Sequence, residues 1–335
     1  MNTNRRSFFS RVVAMAATAT TASNAGASER RVRLFRRRTK RRFCRPPQEQ
    51  TNYCIATDSE LRSVSGGTPG AMFDTSDLPE YQAKSVCDND QRLRIDLSSP
   101  TPRTGRSHVA TCSLRRLWPD GSRTDATGFF VAPRLVLTAG HCVYNPTRGG
   151  WASRVEVIPA ANGITSGRVN TPFGSQTVLQ IDLRATDRWI NQGNAEFDIG
   201  AVRLPNRILF NGINAGRTRS PVFTFLQRDR WGDVSVEIPQ YPADKPALTQ
   251  WWINTANGTC RIPHPRNNPR TLTHTLDTAG GSSGSPIMVG GGDSAFVTLV
   301  YGIHTRGGCP ASTNSGVYLS PGRGRWILDN WDPDR

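Results

Sequence analysis

Three short runs in this 335-residue chain hold residue types that could together perform acyl transfer. The first is Gly280-Gly281-Ser282-Ser283-Gly284-Ser285-Pro286. A serine hydroxyl is a poor nucleophile near neutral pH, and needs a base beside it and donors waiting for the oxyanion it creates. The glycines let the backbone turn sharply, so that the amides of Gly281 and Ser283 can converge on one point as an oxyanion hole. The second run is Leu135-Val136-Leu137-Thr138-Ala139-Gly140-His141-Cys142. It is an apolar stretch that ends in small residues and delivers His141 at a strand end, where a general base is held firmly. The third, Glu196-Phe197-Asp198-Ile199-Gly200-Ala201-Val202, sets Asp198 just before a buried strand. A carboxylate there can orient an imidazole and stabilise its charged form. Taken singly, each run has an ordinary structural explanation: a flexible loop, a strand-end histidine, an aspartate before a strand.

These residues need a rigid frame, and the surrounding sequence supplies short strands. Apolar runs at His108–Leu117, Thr127–Ala132, Leu135–Ala139, Ile199–Leu204, Val234–Ile238, Gly284–Val289, Ala295–Ile303 and Gly316–Leu319 alternate with turn signals such as Pro119-Asp120-Gly121. Their lengths and spacings are those of strands. Only Gly324–Trp331, closed by Pro333, reads as a helix. The pattern predicts an all-β domain, barrel or sandwich. No repeat is visible.

The order His141, Asp198, Ser283, at spacings of 57 and 85 residues, is that of chymotrypsin-type triads and differs from the order in subtilisins and α/β-hydrolases. Thr138-Ala139-Gly140-His141-Cys142 and Gly281-Ser282-Ser283-Gly284-Ser285-Pro286 resemble the trypsin-like serine peptidases. Further runs resemble their bacterial glutamyl endopeptidase branch: Tyr241-Pro242-Ala243-Asp244-Lys245-Pro246, Leu276-Asp277-Thr278-Ala279-Gly280-Gly281, Gly302-Ile303-His304, and Asn89-Asp90-Gln91-Arg92 near the start of the mature enzymes. The resemblance covers roughly residues 85–330. It implies two packed antiparallel six-stranded β-barrels with a C-terminal helix. It also implies an S1 pocket with Thr278 and His304, a preference for Glu (or Asp) at P1, and a mature N-terminal amine that contributes to the pocket. A pocket for a carboxylate must offset its desolvation with donors or positive charge, and Arg306 is a further cation nearby. Three positions depart from the branch: Ser282 stands where Asn or Asp is usual, Gln240 replaces a glycine, and Thr305-Arg306 intervene between His304 and Gly307-Gly308.

The remaining sequence bears on export and processing. Arg5-Arg6, Phe8-Phe9, a weakly apolar Ala/Val/Thr stretch and Ala25-Gly26-Ala27 make the three parts of a signal peptide over 1–27, resembling a twin-arginine signal, with ordinary secretion the alternative. The apolar part is too short and polar to span a bilayer, and no membrane span follows. Residues 29–45 carry ten Lys/Arg against one acid, a large part of the formal charge of +16. A run of like charge stays extended, so 28–84 reads as a basic, largely disordered pro-segment and 85–335 as the peptidase domain. Cleavage at Glu80–Tyr81 or Lys84–Ser85 would separate them. The mature protein is then secreted or periplasmic, a monomer acting on polypeptide substrates. No aromatic-and-basic motif marks specific nucleic-acid binding. The chemistry calls for no metal or organic cofactor. Seven cysteines include no Cys-x-x-Cys pair, which argues against structural zinc. The resemblance implies a disulfide from Cys142 to a neighbouring strand, with Cys112 the nearest candidate partner; Cys260–Cys309 is a weaker choice with which Cys87–Cys260 competes, and the odd count leaves at least one thiol over or paired with another chain. Two other classes stay open: a catalytically silent binding protein on the same fold, and a surface- or nucleic-acid-binding protein working through residues 30–45.

Overall fold

Short runs of β-branched and aromatic residues, broken by glycine and proline turns, cannot build long helices but can pair. They do so in the computed structural model, which describes residues 61–66, 84–97, 106–210, 222–264, 270–289 and 298–335. In chain order the strands are β1 (Ser63–Ser65), β2 (Lys84–Ser85), β3 (Leu93–Arg94), β4 (Thr111–Leu117), β5 (Arg123–Ala132), β6 (Leu135–Thr138), β7 (Tyr144–Asn145) and β8 (Gly150–Trp151). There follow β9 (Arg154–Pro159), β10 (Ile164–Thr165), β11 (Arg168–Val169), β12 (Gln176–Leu179), β13 (Leu183–Thr186), β14 (Gly200–Arg203), β15 (Phe223–Phe225) and β16 (Gly232–Asp233). The last are β17 (Val236–Gln240), β18 (Trp251–Asn254), β19 (Cys260–Ile262), β20 (Thr271–His274), β21 (Thr278–Ala279), β22 (Pro286–Val289), β23 (Thr298–Arg306) and β24 (Asn314–Tyr318). The helices are α1 (Arg106–Ala110), α2 (Asp187–Gln192) and α3 (Pro321–Trp331).

Two curled sheets result. The first runs β1-β13-β14-β6-β5-β4-β9-β12; the second runs β16-β19-β20-β24-β23-β22-β17-β18-β3, with β15 parallel to β23. This is the expected two-sheet architecture, with short edge strands beyond six in each. Leu114, Phe130, Val136, Val155 and Ala201 belong to the first sheet's core, and Val236, Ile253, Leu272, Ile287 and Tyr301 to a second cluster. β5 is buried along most of its length. Phe130 meets Phe210, while Phe129 packs edge-on against Phe223 of β15, 5.1 Å between centroids, so β5 touches both halves.

Several elements differ from the sequence expectation. His108 lies in α1, and the strand expected from it starts at Thr111. α2 has six residues and closes on left-handed Gly193, too short to show a helical period. α3 begins at Pro321, three residues before the expected start, because the Ser320 hydroxyl accepts the Arg323 amide and Pro321 suits the first turn.

The signal-peptide reading of 1–27, most of the pro-segment 28–84 and the Glu80–Tyr81 bond lie outside the described residues. Within 28–84, residues 61–66 are described and carry an edge strand. β1 pairs with β13, Leu61 is buried, and Trp331 Nε1 donates to the Ser63 hydroxyl at 2.7 Å. The Gly66 amide donates to the Leu183 carbonyl, and a Cβ at Gly66 would fall 1.5 Å from the Gln180 carbonyl oxygen. Gly66→Ala should therefore detach this strand. Overpacking costs roughly 1–3 kcal/mol, so hydrogen exchange at the amide of residue 66 should accelerate by about 5- to 100-fold while amides in β5 stay protected.

Candidate active site

β6 ends at Thr138, and a single 3-10 turn, Gly140–Cys142, then presents His141. A second such turn, Ala195–Phe197, precedes Asp198, its start fixed by the Asn194 side chain accepting the Glu196 amide. β6 and β14 are antiparallel neighbours with Thr138 opposite Gly200, so both turns leave the sheet at the same end. Asp198 closes the pair twice. Its Oδ2 lies 2.8 Å from His141 Nδ1, and its Oδ1 accepts the His141 backbone amide at 2.8 Å. Burial disfavours the charged imidazole, but the Asp198 carboxylate and the Cys142 sulfur together outweigh it and raise the His141 pKa. Trp189 of α2 packs edge-on against the imidazole and donates from Nε1 to the Tyr144 carbonyl.

Ser283 arrives from the second sheet, just before β22. The Ser282 amide donates to the Ala279 carbonyl and the Ser285 amide to the Ser282 carbonyl, both at 3.0 Å, making two consecutive turns. Gly281 (φ 89°) and Gly284 (φ 90°) take the third position of each, where positive φ calls for glycine. A Cβ would fall 2.5 Å from the Tyr241 carbonyl oxygen at Gly281 and 2.0 Å from that of Thr127 at Gly284. Thr127 of β5 ties this loop to the first sheet. Its amide donates to the Ser283 carbonyl at 2.9 Å and its hydroxyl to the Gly281 carbonyl at 2.8 Å. Cys142 Sγ lies 3.7 Å from the same Ser283 carbonyl, which brings the Ser283 backbone against the residue next to His141.

His304 joins this loop through its backbone: its amide donates to the Ser285 carbonyl and its carbonyl accepts the Gly284 amide. Its Nδ1 lies 3.1 Å from His274 Nε2. Burial holds both histidines neutral, lowering the His274 pKa to about 3 and that of His304 well below its ordinary value. Thr278 Oγ1 and His274 Nδ1 are buried without a hydrogen-bond partner among the described residues. The insertion at Thr305-Arg306 is absorbed by a bulge, since the β23–β24 register shifts between His304 and Arg306.

The segment after residue 84 lies along this wall. β2 pairs with β21, Ser85 opposite Thr278. The Ser85 hydroxyl donates to Asn314 Oδ1, and Asn314 Nδ2 donates back to the Ser85 carbonyl. The Asp277 carboxylate accepts the amides of Cys87 at 3.0 Å and Gln91 at 2.9 Å. Buried Arg92 bonds Asp90 and Asp244, and Lys245 pairs with Asp90. A disulfide joins Cys87 to Cys309. This corrects the expected pairing, because Cys112, Cys142 and Cys260 are free and buried. Cys112 stands opposite Gly128 in the β4–β5 ladder, one residue past Thr127, so alternation turns it to the face opposite the Thr127 side chain.

Two of the departures from the branch pattern meet each other. The Ser282 hydroxyl donates to Gln240 Oε1 at 2.5 Å and accepts the Ala279 amide at 3.1 Å, while Gln240 Nε2 donates to the Asp277 carbonyl at 3.0 Å. Sequence reasoning missed Thr127, His274 and the role of Asp277. The one local signal was a polar Thr127 inside the apolar stretch of β5.

A family description, the trypsin-like peptidase domain, matches residues 126–293, half of the chain. The chain belongs to the trypsin-like peptidase family. It is 29% identical over 250 residues to a Bacillus subtilis (strain 168) protein named extracellular metalloprotease, covering 72% of this chain and 68% of that one. It is 29% identical over 208 residues to a Bacillus licheniformis glutamyl endopeptidase, covering 62% of this chain and 56% of that one. In fold it matches a solved Glu endopeptidase in complex with MPD at TM-score 0.55 and 20% identity, over 73% of this chain and 99% of that one. Family membership makes the chain a serine endopeptidase in class.

The neutral histidine pair has a consequence for stability. With a folded pKa of about 3 against 6.5 when free, His274 contributes stability that is complete above pH 6.5 and is lost as pH falls towards 3. At 1.36 kcal/mol per pH unit, the loss by pH 4.5 is on the order of 2 kcal/mol. The urea midpoint should fall between pH 7 and 4.5, and less steeply for His274→Asn; parallel curves would remove the pair as the cause.

Proposed function

We propose that this chain is an exported serine endopeptidase that cleaves after Glu. Ser283 Oγ attacks the scissile carbonyl while His141 takes its proton, and Asp198 holds the imidazole and stabilises its charge. The amides of Gly281 and Ser283 bind the tetrahedral oxyanion. His141 then gives the proton to the leaving amine, and water hydrolyses the acyl-enzyme by the same path in reverse. The observation that carries this reading is the double contact of Asp198 with the His141 side chain and backbone amide, beside a sharply turned serine loop.

The preference for Glu rests on the wall beside that loop. Thr278 holds a buried hydroxyl without an acceptor. If His274 donates from Nε2 to His304 Nδ1, His304 carries its remaining proton on Nε2 as a donor for a carboxylate. The half-buried Arg306 adds positive charge. Cleavage at Lys84–Ser85 would place a new amine on the strand facing Thr278, and residues 85–335 are the mature enzyme, a monomer acting outside the cytoplasm. Its own glutamates resist such an enzyme: beyond residue 84 only Glu156, Glu196 and Glu237 occur, two of them in strands and none fully exposed.

A digest of a peptide mixture by the processed protein, read by mass spectrometry, tests both halves. Cuts after Glu that vanish in Ser283→Ala are expected. Cuts after other residues would discard the pocket assignment and keep the triad; no cuts from folded, processed protein would favour a silent binding protein. Asp198→Asn should lower kcat by about 10⁴-fold. Because Asp198 raises the His141 pKa, the acid limb of kcat/KM should also move to lower pH in that variant.

A further inference from the structure

We propose that Gln240 is a positioning residue for the oxyanion hole, acting through Ser282. The inference rests on the triad reading above and adds to it a side chain from outside the nucleophile loop. Ser282 lies between the two residues whose amides would bind the oxyanion, and its side chain points away from that site into a closed interior. Both Ser282 and Gln240 are 0% exposed. The Ser282 hydroxyl spends its one proton on Gln240 Oε1 and accepts the Ala279 amide, and Gln240 Nε2 donates to the Asp277 carbonyl. Three hydrogen bonds thus cross-brace the turn from Ala279 to Ser282, from inside.

The brace matters because the turn would otherwise be loose. Gly281, at φ 89°, is a residue whose flanking peptide units can turn over at little cost. Thr127 fixes the Gly281 carbonyl on one side; Gln240 fixes Ser282 on the other. Oxyanion donors act only when aimed before the charge develops, so holding both ends of this turn holds their direction. The pairing also accounts for two departures from the glutamyl endopeptidase pattern at once. With glycine at 240, the Ser282 hydroxyl would have no acceptor in a buried site, and a buried orphan costs about 1–3 kcal/mol. Each residue suits the other. Asp277 closes the network, because its carboxylate seats the amides of Cys87 and Gln91 while its carbonyl holds Gln240.

Gln240→Met, Ser282→Ala and the double variant test this. The readouts are kcat and KM on a peptide the wild type cuts, and the rate of fluorophosphonate labelling at Ser283. Misplacing reacting groups by an ångström costs up to about 100-fold, so each single variant should lose about 10- to 100-fold in kcat and in labelling rate, with KM within about twofold. The double variant should be no worse than the worse single, because the two side chains act as one unit. Full kcat in both single variants, or losses that multiply in the double, would overturn the proposal. Should Gln240→Met not fold, Ser282→Ala, which removes one oxygen atom, decides alone. A wild type that is not labelled overturns the triad reading and this inference with it; a labelled wild type with unimpaired variants overturns the inference only.

Discussion

The loop that carries Ser283 grows from the second sheet but hangs from the first, by Thr127. One residue supplies an amide to the Ser283 carbonyl, a hydroxyl to the Gly281 carbonyl and an acceptor to the Tyr241 amide. Its own carbonyl is held by the Thr138 hydroxyl, at the end of the strand that leads to His141. The relative placement of His141 and Ser283 therefore depends on a short run of buried hydrogen bonds. In such surroundings a bond that is made is strong and one that is lost is costly. The glycines at 281 and 284 follow from this constraint: Thr127 and Tyr241 approach so closely that side chains have no room.

The second anchor of the site is the segment that begins at Lys84. It is bound by main-chain pairing to β21, by the Asp277 carboxylate, by the Arg92–Asp90–Asp244 cluster and by the Cys87–Cys309 bond. The strand pairing and the Asp277 contacts fall beside Thr278. Burying the Arg92 charge would be costly without its two carboxylates, and the pairing brings Asp90 and Asp244, far apart in sequence, to one side chain.

How much of this was legible in the sequence depends on how local each signal is. The strands around His141, Asp198 and Ser283 were readable because apolar runs ended in turn residues, and chain order tied the three together. α2 was not, since six residues cannot display a helical period. The disulfide was misread because pairing depends on where along a strand a cysteine falls: Arg116, four residues further along β4 on the face that Cys112 takes, is the side chain that reaches Cys142. The Gln240–Ser282 bond was hidden for a different reason. Each residue alone looked like a departure from a pattern, and only folding shows that the two departures are a single feature across 42 residues of sequence.

β1 lies upstream of the Lys84–Ser85 bond yet contributes an edge strand to the first sheet. While the chain is intact, a short tether keeps that strand at an effective concentration in the millimolar range. A cut after residue 84 would turn the same strand into a separate peptide, held by three residue pairs, the flanking backbone bonds of Arg62 and Gly66, the buried Leu61 and a tryptophan hydrogen bond. Its retention would then depend on dilution, so the molecule's composition would change with volume as well as with proteolysis.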